Sequence, residues 1–412
     1  MAPLKVLICG AGCAGPALAF WLAQTGHQVT VIERFPTLRS GGSQIDLRGA
    51  GIEAVKRMGL VEVIRSKLVD EEGAAMVDSN GNVKAHTMAN KSGQGAQSVT
   101  SEYEIMRGDL VHVLYESTKS NVQYIFGMAV ESFSQDETQV TVHFSDGSAD
   151  TYDLLVGADG QGSRIRRTMS PGSPDPYYRL GTHVAYFFIP RIDSDTNMMS
   201  VYNSPGGRMI MRRSHSPTES QVLFFLKDDS PEMSSLSKAS VKQQKASWAR
   251  RFRDAGWQTD RFLAGMETTD NWYCQEVVQV RTSTWHKGRV VLLGDAAHCP
   301  SHWSGMGTSS ALVGAYVLAG EINRHPDDLS QAFQGYDKVL RPYVDECQEV
   351  YPWLIKLAMP DSWLGCAILR YIFQMLCFLR VPELMSRFST ERDGNWQLPD
   401  YPELRQVSVA QE

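Results

Sequence analysis

Residues 5–33 read KVLICGAGCAGPALAFWLAQTGHQVTVIE, and this stretch decides the fold. A short apolar run is followed at once by glycines, and then by small and large apolar residues that stop at Gly26. A second run, rich in β-branched residues, ends in Glu33. The pattern predicts a buried parallel strand, a helix and a second strand, joined as one βαβ unit.

Gly10, Gly12 and Gly15 give the turn of this unit the spacing GxGxxG. The first glycine permits a tight turn, the second lets the backbone approach a pyrophosphate, and the third allows close helix–strand packing. The helix offers its free N–H groups, including that of Ala14, to the phosphates. Glu33 follows at about 20 residues, where an acid can bind a ribose. We predict a bound dinucleotide, with FAD and NAD both open at this point.

The composition of the 412 residues narrows the class of protein. Apolar residues at 42% and charged residues at 21% are typical of a globular protein, and the length predicts two domains. A net charge of -6 without a Lys/Arg block argues against nucleic-acid binding. Seven cysteines without a CxxC pair or zinc spacing predict a reducing, cytoplasmic location and no metal site. Because a strand-like run starts by Leu4, we expect no leader.

Two later segments each read as an apolar strand that ends in a Gly/Asp turn. Residues 153–166 read DLLVGADGQGSRIR, and residues 290–307 read VVLLGDAAHCPSHWSGMG. A simple NAD dehydrogenase has no use for the second segment, so the pair favours FAD. Between them, the chain after Pro171 reads as aromatic and apolar strands, which predict an inserted antiparallel sheet.

The motifs predict how the chain is divided. The predicted units are a discontinuous FAD-binding domain (1–170 and 285–350), a substrate-binding sheet (171–284), an apolar helical segment (351–390) and a tail (391–412) that we expect to be mobile.

With these motifs in this order, residues 4–350 resemble the class A flavoprotein monooxygenases, the group that includes para-hydroxybenzoate hydroxylase. The likeness rests on GxGxxG, on Asp159-Gly160-x-x-Ser163-x-x-Arg166 and on Gly294-Asp295-Ala296-Ala297-His298. Residues 41–51 and the SGMG segment look most like tetracycline-inactivating monooxygenases and fungal relatives in secondary metabolism. The resemblance implies an α/β fold: a Rossmann-type GR2 FAD-binding domain with an inserted antiparallel-sheet substrate domain and C-terminal helices.

The resemblance also implies where tightly bound FAD is held. Glu33 and Arg34 would bind the adenosine end of FAD. Arg107 would bind its pyrophosphate or ribityl chain, and Asp295 would bind a ribityl hydroxyl. The helix that starts near Gly307 would aim its dipole at the flavin. The implied FAD residues are Gly10, Gly12, Ala14, Gly15, Glu33, Arg34, Asp46, Arg107, Asp159, Gly160, Gly294, Asp295, Gly305, Gly307 and Thr308. Transient NADPH or NADH would meet Arg39 and Arg166.

The implied reaction is hydroxylation or epoxidation of an apolar or aromatic small molecule by NAD(P)H and O2, through a flavin C4a-hydroperoxide. The expected pocket residues are His183, Tyr186, Met211, Arg213, Phe224 and Trp303. Alternation puts His183 and Tyr186 on opposite faces of one strand. We favour His183, also as a catalytic residue, because a histidine in an apolar strand needs a partner.

The sequence departs from the family at the flavin face. His302 stands three residues before Gly305 where relatives have Pro, and Ser309 replaces the usual Asn. His302 is therefore a candidate general acid/base or substrate-binding residue, with a plain loop substitution as the alternative. Two rival functions stay open: a flavoenzyme without oxygenation (an oxidase, dehydrogenase, isomerase or cyclase), and an FAD-binding partner protein.

Residues 352–388 are unusually apolar, with Arg370, Gln374 and Arg380 near one helical face. This pattern favours an amphipathic helix that packs on the protein, ahead of peripheral contact with a membrane and of a membrane span. We expect a monomer or a homodimer.

Overall fold

The computed structural model describes residues 3–39, 41–89, 102–381 and 396–405. Its helices are α1 (Ala14–Gln24), α2 (Ala50–Arg57), α3 (Val61–Arg65), α4 (Arg107–Glu116), α5 (Arg164–Met169), α6 (Pro231–Ser235), α7 (Val241–Phe252), α8 (Thr259–Thr268), α9 (Asp295–His298), α10 (Gly307–Arg324), α11 (Leu329–Cys347), α12 (Pro352–Ala358) and α13 (Trp363–Phe378). Its strands are β1 (Lys5–Cys9), β2 (Gln28–Glu33), β3 (Gln44–Asp46), β4 (Gly73–Val77), β5 (Val83–Met88), β6 (Glu104–Met106), β7 (Gln123–Phe126), β8 (Val130–Gln135), β9 (Val140–Phe144), β10 (Ala149–Tyr152), β11 (Leu154–Gly157), β12 (Tyr177–Pro190), β13 (Met198–Ser204), β14 (Arg208–Ser214), β15 (Glu219–Lys227), β16 (Tyr273–Val280), β17 (His286–Lys287) and β18 (Val290–Leu292).

The predicted βαβ unit forms the centre of a six-stranded sheet with the order β17-β18-β11-β1-β2-β7. Strand β1 pairs in parallel with β11 on one side and with β2 on the other. Its residues Val6, Leu7 and Ile8 are completely buried, as expected for a parallel strand covered on both faces. The carboxyl ends of β18, β11, β1 and β2 therefore meet at one edge, which brings the three motif loops together.

The aromatic strands form most of a seven-stranded sheet with the order β16-β12-β15-β14-β13-β4-β5. The predicted antiparallel pairing holds among β12–β16, and Gly206 and Gly207, both with positive φ, make the turn between β13 and β14. The sheet also includes β4, paired in parallel with β13, and β5. These two strands come from the segment assigned to the FAD-binding domain. The division of the chain into domains stays a prediction.

The two faces of this sheet have different partners. One face packs on α7 and α8 through a core that includes Phe187, Phe224 and Phe252. The other face carries Val184, Leu223 and Phe225, and is named the cleft face below. The predicted packing of the apolar C-terminal segment is found in α12, because Ile355 and Met359 just beyond it are buried against the cleft face.

Helix α13 lies largely on the surface. Trp363 is 71% exposed and Phe378 is 78% exposed, and Cys366 is its buried residue. In the described part of the chain, no helix is both long enough and apolar enough to cross a membrane. Residues 382–395 of the predicted helical segment and tail lie outside the described residues.

The prediction of a mobile tail is wrong for residues 396–405. Tyr401 is completely buried, and its hydroxyl donates to Glu321 Oε1 at 2.6 Å. The ring occupies the space that a side chain at Gly320 would fill. Trp396 Nε1 donates to the Val339 carbonyl at 2.8 Å. Two aromatic residues thus hold this polar-looking stretch on the FAD-binding domain.

Candidate FAD and substrate site

The GxGxxG loop has no room for side chains at two of its glycines. Gly10 has a φ of +114°, and a Cβ there would lie 2.5 Å from the Ala158 carbonyl oxygen. A Cβ on Gly15 would overlap the Gly10 carbonyl oxygen. The close helix–strand packing predicted for Gly15 is therefore present, and it fixes the start of α1 directly beyond β1.

Glu33 closes the same loop from the end of β2. Its carboxylate accepts from the Ala11 N–H at 3.0 Å and from the Phe35 N–H at 3.1 Å. The exposed Arg34 guanidinium lies 5.0 Å from the Phe35 ring centre. Both residues stand at the edge where the adenosine end is expected, and their contact with FAD stays a prediction.

Arg107, at the start of α4, connects the first and third motifs. Its Nη2 lies 3.3 Å from the point where a Gly12 Cβ would be. Burial raises the pKa of the Asp295 carboxyl above its usual value. The Cys299 thiol and the positive charge of Arg107 offset part of this rise. A Cβ on Gly294 would lie 3.0 Å from the Ala14 side chain. The residues predicted to hold the pyrophosphate and ribityl chain are thus brought together.

In the second motif, which runs from Asp159 to Arg166, the first residue accepts hydrogen bonds from the start of the helix that follows it. Asp159 accepts from the N–H of Arg164 at 2.6 Å and from the Ser163 hydroxyl at 2.5 Å, at the start of α5. Arg166 is only 6% exposed, and it donates to the carbonyls of Ala296 and Gln161, each at 2.7 Å.

These contacts make Arg166 a buried link between the second and third motif loops. Its predicted contact with NADPH stays a prediction. Arg39, in contrast, is exposed, and its guanidinium lies 4.8 Å from the Phe35 ring centre. An NADPH contact of Arg39 stays a prediction.

Strand β3 and Arg48, two residues beyond its end, carry buried polar atoms without a protein partner. Among the described residues, these include both amide atoms of Gln44, Oδ1 of Asp46 and Nε of Arg48. Asp46 Oδ2 accepts from Arg48 at 2.9 Å. Buried polar groups normally have a partner, so these atoms fit a polar ligand such as the isoalloxazine of FAD. Sequence reasoning missed Gln44 and Arg48, although both flank the predicted Asp46.

The unusual Ser309 is explained by its neighbours. Its hydroxyl accepts from the Arg48 N–H at 3.0 Å, and a Cβ on Gly51 would lie 2.6 Å from the Ser309 Cβ. The start of α10, with Gly307 and Thr308, is thereby held beside β3, where it can direct its N–H groups at the flavin.

His302 lies in a short 3₁₀ turn (His302–Ser304) before Gly305, whose φ is +66°. Its side chain is exposed, and the protein atoms packed around it lower the pKa of the imidazole to about 4. The imidazole is therefore neutral near pH 7. A group with this pKa is a poor match for general acid/base catalysis at that pH.

The cleft face meets the 302–304 turn through aromatic residues. Trp303 Nε1 donates to Thr182 Oγ1 at 3.0 Å, and its ring centre lies 5.4 Å from that of Phe225. Tyr186 lies 5.2 Å from Tyr273, and burial raises the pKa of Tyr186 to about 12. Tyr186, Met211 and Trp303 thus share the cleft face, as predicted for pocket residues.

Two predicted pocket residues, His183 and Phe224, are on the wrong side of the sheet. His183 is 3% exposed and its Nε2 lies 3.0 Å from the Asp228 carbonyl oxygen, which supplies the partner that it needs. Phe224 stacks on Phe252 with 4.3 Å between ring centres. Sequence alternation separates the two faces but does not say which one α7 and α8 cover, and the next residue, Phe225, lies on the cleft face.

Arg213 is held by acidic residues. It donates to Glu71 Oε1 at 2.7 Å and to Glu104, and both carboxylates are buried. This ion-paired arginine ties β14 to β6 and to the segment before β4. Its predicted contact with substrate stays a prediction.

His298, in the third motif, predicts an acid-sensitive step in stability. It is 1% exposed, with Nδ1 3.2 Å from Ser310 Oγ, and burial lowers its pKa from 6.5 to about 4. Between these values the unfolded chain binds more protons than the native chain, so stability falls as the pH drops through this window. We expect a loss of up to about 3 kcal/mol from this group. Urea unfolding at pH 7 and pH 5 should show a smaller acid loss for His298→Asn, and equal losses would contradict this.

Comparisons with known proteins agree with the geometry. A family model described as FAD binding domain matches residues 3–350. The FAD-dependent monooxygenase asL4 of Sarocladium schorii is 40% identical over 427 residues, which cover 98% of this chain and 99% of that protein. The flavin-dependent monooxygenase eupH of Phoma sp is 39% identical and covers 90% and 91%. The crystal structure of tetracycline destructase Tet(51) matches with a TM-score of 0.78 at 29% identity, over 97% and 99% of the two chains.

Proposed function

The chain belongs to the FAD binding domain family and is an FAD-dependent monooxygenase, and we propose that it uses NAD(P)H and O2 to oxygenate a flat, apolar small molecule of secondary metabolism. The aromatic cleft face carries this proposal. Tyr186, Phe225 and Trp303 bring three aromatic rings together on the cleft face, and we expect the flavin to lie beside them. Such a lining suits a planar substrate. The similarity to a tetracycline destructase, whose name refers to tetracycline, supports the same substrate class.

Different residues of the chain hold the cofactor and position the substrate. FAD supplies the redox and oxygen chemistry when bound. Arg107 and the start of α1 bind its phosphate region, while Gln44, Asp46 and Arg48 offer their unpartnered atoms to its ring system. The apolar cleft face orients the substrate and excludes water from the reacting edge.

The rival function without oxygenation loses its main support. It depended on His302 as an acid/base, and with a pKa lowered to about 4 this imidazole is not the protonated imidazolium that a general acid needs near pH 7. Membrane contact through α13 stays a prediction from its exposed apolar side chains, as does the choice between monomer and homodimer.

The proposal predicts substrate-stimulated consumption of NADPH and O2. The purified FAD-loaded enzyme is supplied with NADPH and a panel of hydroxylated anthraquinones and naphthols, and both consumption rates are followed. We expect at least one compound to raise both rates together and to yield a product one oxygen heavier. Phe225→Ala should raise KM for that compound, whereas Val83→Ala on the exposed strand β5 is the control. Reduction by NADPH without transfer of oxygen to any compound would contradict the proposal.

A further inference from the structure

We propose that Gln275 orients His302 so that a ring N–H of the imidazole faces the cleft, which makes this point a subsite for an acceptor oxygen of the substrate: a carbonyl, enolate or phenolate. The inference rests on the proposed function, because it requires a small molecule on the cleft face. It would make this otherwise apolar site prefer substrates that carry an acceptor oxygen at this point.

Gln275 is a polar residue on an apolar stripe. On β16, Tyr273, Gln275 and Val277 alternate onto the cleft face, and Val277 is completely buried there. The cross-strand partner of Gln275 on β12 is Val184, which is also completely buried. An amide in such surroundings needs polar partners of its own, and its two partners define what it does.

The two ends of the Gln275 amide have different partners. The Tyr273 hydroxyl donates to Gln275 Oε1 at 2.7 Å. The Gln275 Nε2 lies 3.2 Å from His302 Nδ1 and 3.3 Å from His302 Nε2. The phenol hydrogen thus occupies the amide oxygen, and the amide N–H groups face the imidazole.

This polarity decides which part of the imidazole remains available. A neutral imidazole has one nitrogen that accepts and one N–H that donates. The two distances are nearly equal, so the amide nitrogen lies over the ring and not at one of its nitrogens. It brings only N–H groups to this side and cannot accept a hydrogen bond from the imidazole N–H. The ring N–H is then left for a partner in the cleft. Because the protein lowers the pKa of His302 to about 4, the imidazole keeps this neutral form near pH 7.

The backbone holds His302 in place for this contact. The neighbouring Trp303 is fixed to the sheet by its 3.0 Å hydrogen bond to Thr182. On the other side, Ser301 has a φ of +83°, a conformation that non-glycine residues rarely adopt. A positive φ at a serine beside the ligand cleft is typical of a residue whose backbone is set by its function.

The test uses two matched probes, 1-tetralone and tetralin, which differ by one carbonyl oxygen. Their Kd values are measured with the FAD-loaded enzyme from the perturbation of the flavin absorbance. Gln275→Leu and His302→Phe should weaken 1-tetralone roughly three- to tenfold, the value of one hydrogen bond, and change tetralin less than about twofold. Tyr273→Phe should act in the same direction, since it frees the amide to turn over. Glu276→Gln, on the other face of β16, is the control.

Equal weakening of both probes, or no weakening of either, would overturn the inference while leaving the apolar cleft intact. If neither probe binds the parent enzyme, the proposed aromatic cleft and the subsite both fail. Folding of each variant is checked by its FAD content and by urea unfolding.

Discussion

Gly15→Ala is expected to abolish FAD retention and to destabilise the chain. The new methyl group would overlap the Gly10 carbonyl oxygen, and backbone atoms at a strand–helix turn cannot move apart without displacing α1 from β1. Overpacking of this kind costs about 3 kcal/mol. The purified variant should be colourless and should unfold at lower urea concentration than the parent apoprotein.

Gly12→Ala is the matched control for this change. Its nearest neighbour would be the mobile end of the Arg107 side chain at 3.3 Å, rather than backbone. We expect its stability to change by less than about 1 kcal/mol while its FAD content falls, since the methyl group occupies the approach to the pyrophosphate. Equal loss of stability in both variants would contradict the overlap with the Gly10 carbonyl as the cause of the Gly15→Ala effect.

Arg166→Met is expected to lower the free energy of unfolding by about 2 kcal/mol, because it leaves the buried Ala296 carbonyl without its donor, whereas the Gln161 carbonyl keeps the Tyr177 hydroxyl. The KM for NADPH of the remaining folded enzyme should be unchanged. Urea unfolding and the NADPH dependence of turnover measure the two effects separately.

The neighbour Arg167 provides the control for Arg166. It is exposed and donates to the Gly162 carbonyl at 2.9 Å. Arg167→Met should change stability by less than about 0.5 kcal/mol. A raised KM for NADPH in Arg166→Met, with stability unchanged, would support the coenzyme contact predicted from sequence and contradict the buried linking role.

The features that sequence predicted well are those set by local chemistry. The GxGxxG turn permits only glycine at Gly10 and Gly15 for steric reasons that the motif itself carries. The three motif loops follow strands, and strands of a parallel sheet end at one edge, so their convergence could be inferred without coordinates.

What sequence missed depends on packing between distant segments. Phe224 and Phe225 are equally apolar, and only α7 on one side and the 302–304 turn on the other distinguish them. Strand β4 joins the second sheet by pairing with β13, more than a hundred residues later. The buried Tyr401 fills a space that exists because residue 320 is glycine. Such contacts leave no periodic signal in the chain.

The central claim, that this chain transfers oxygen from O2 to a molecule on the cleft face, is tested most directly by isotope labelling. The FAD-loaded enzyme is incubated with NADPH, the compound that stimulates consumption and 18O2, and the product is analysed by mass spectrometry. The account predicts one 18O atom in the product, and a much lower yield from Phe225→Ala at limiting substrate. A product formed without 18O would contradict it.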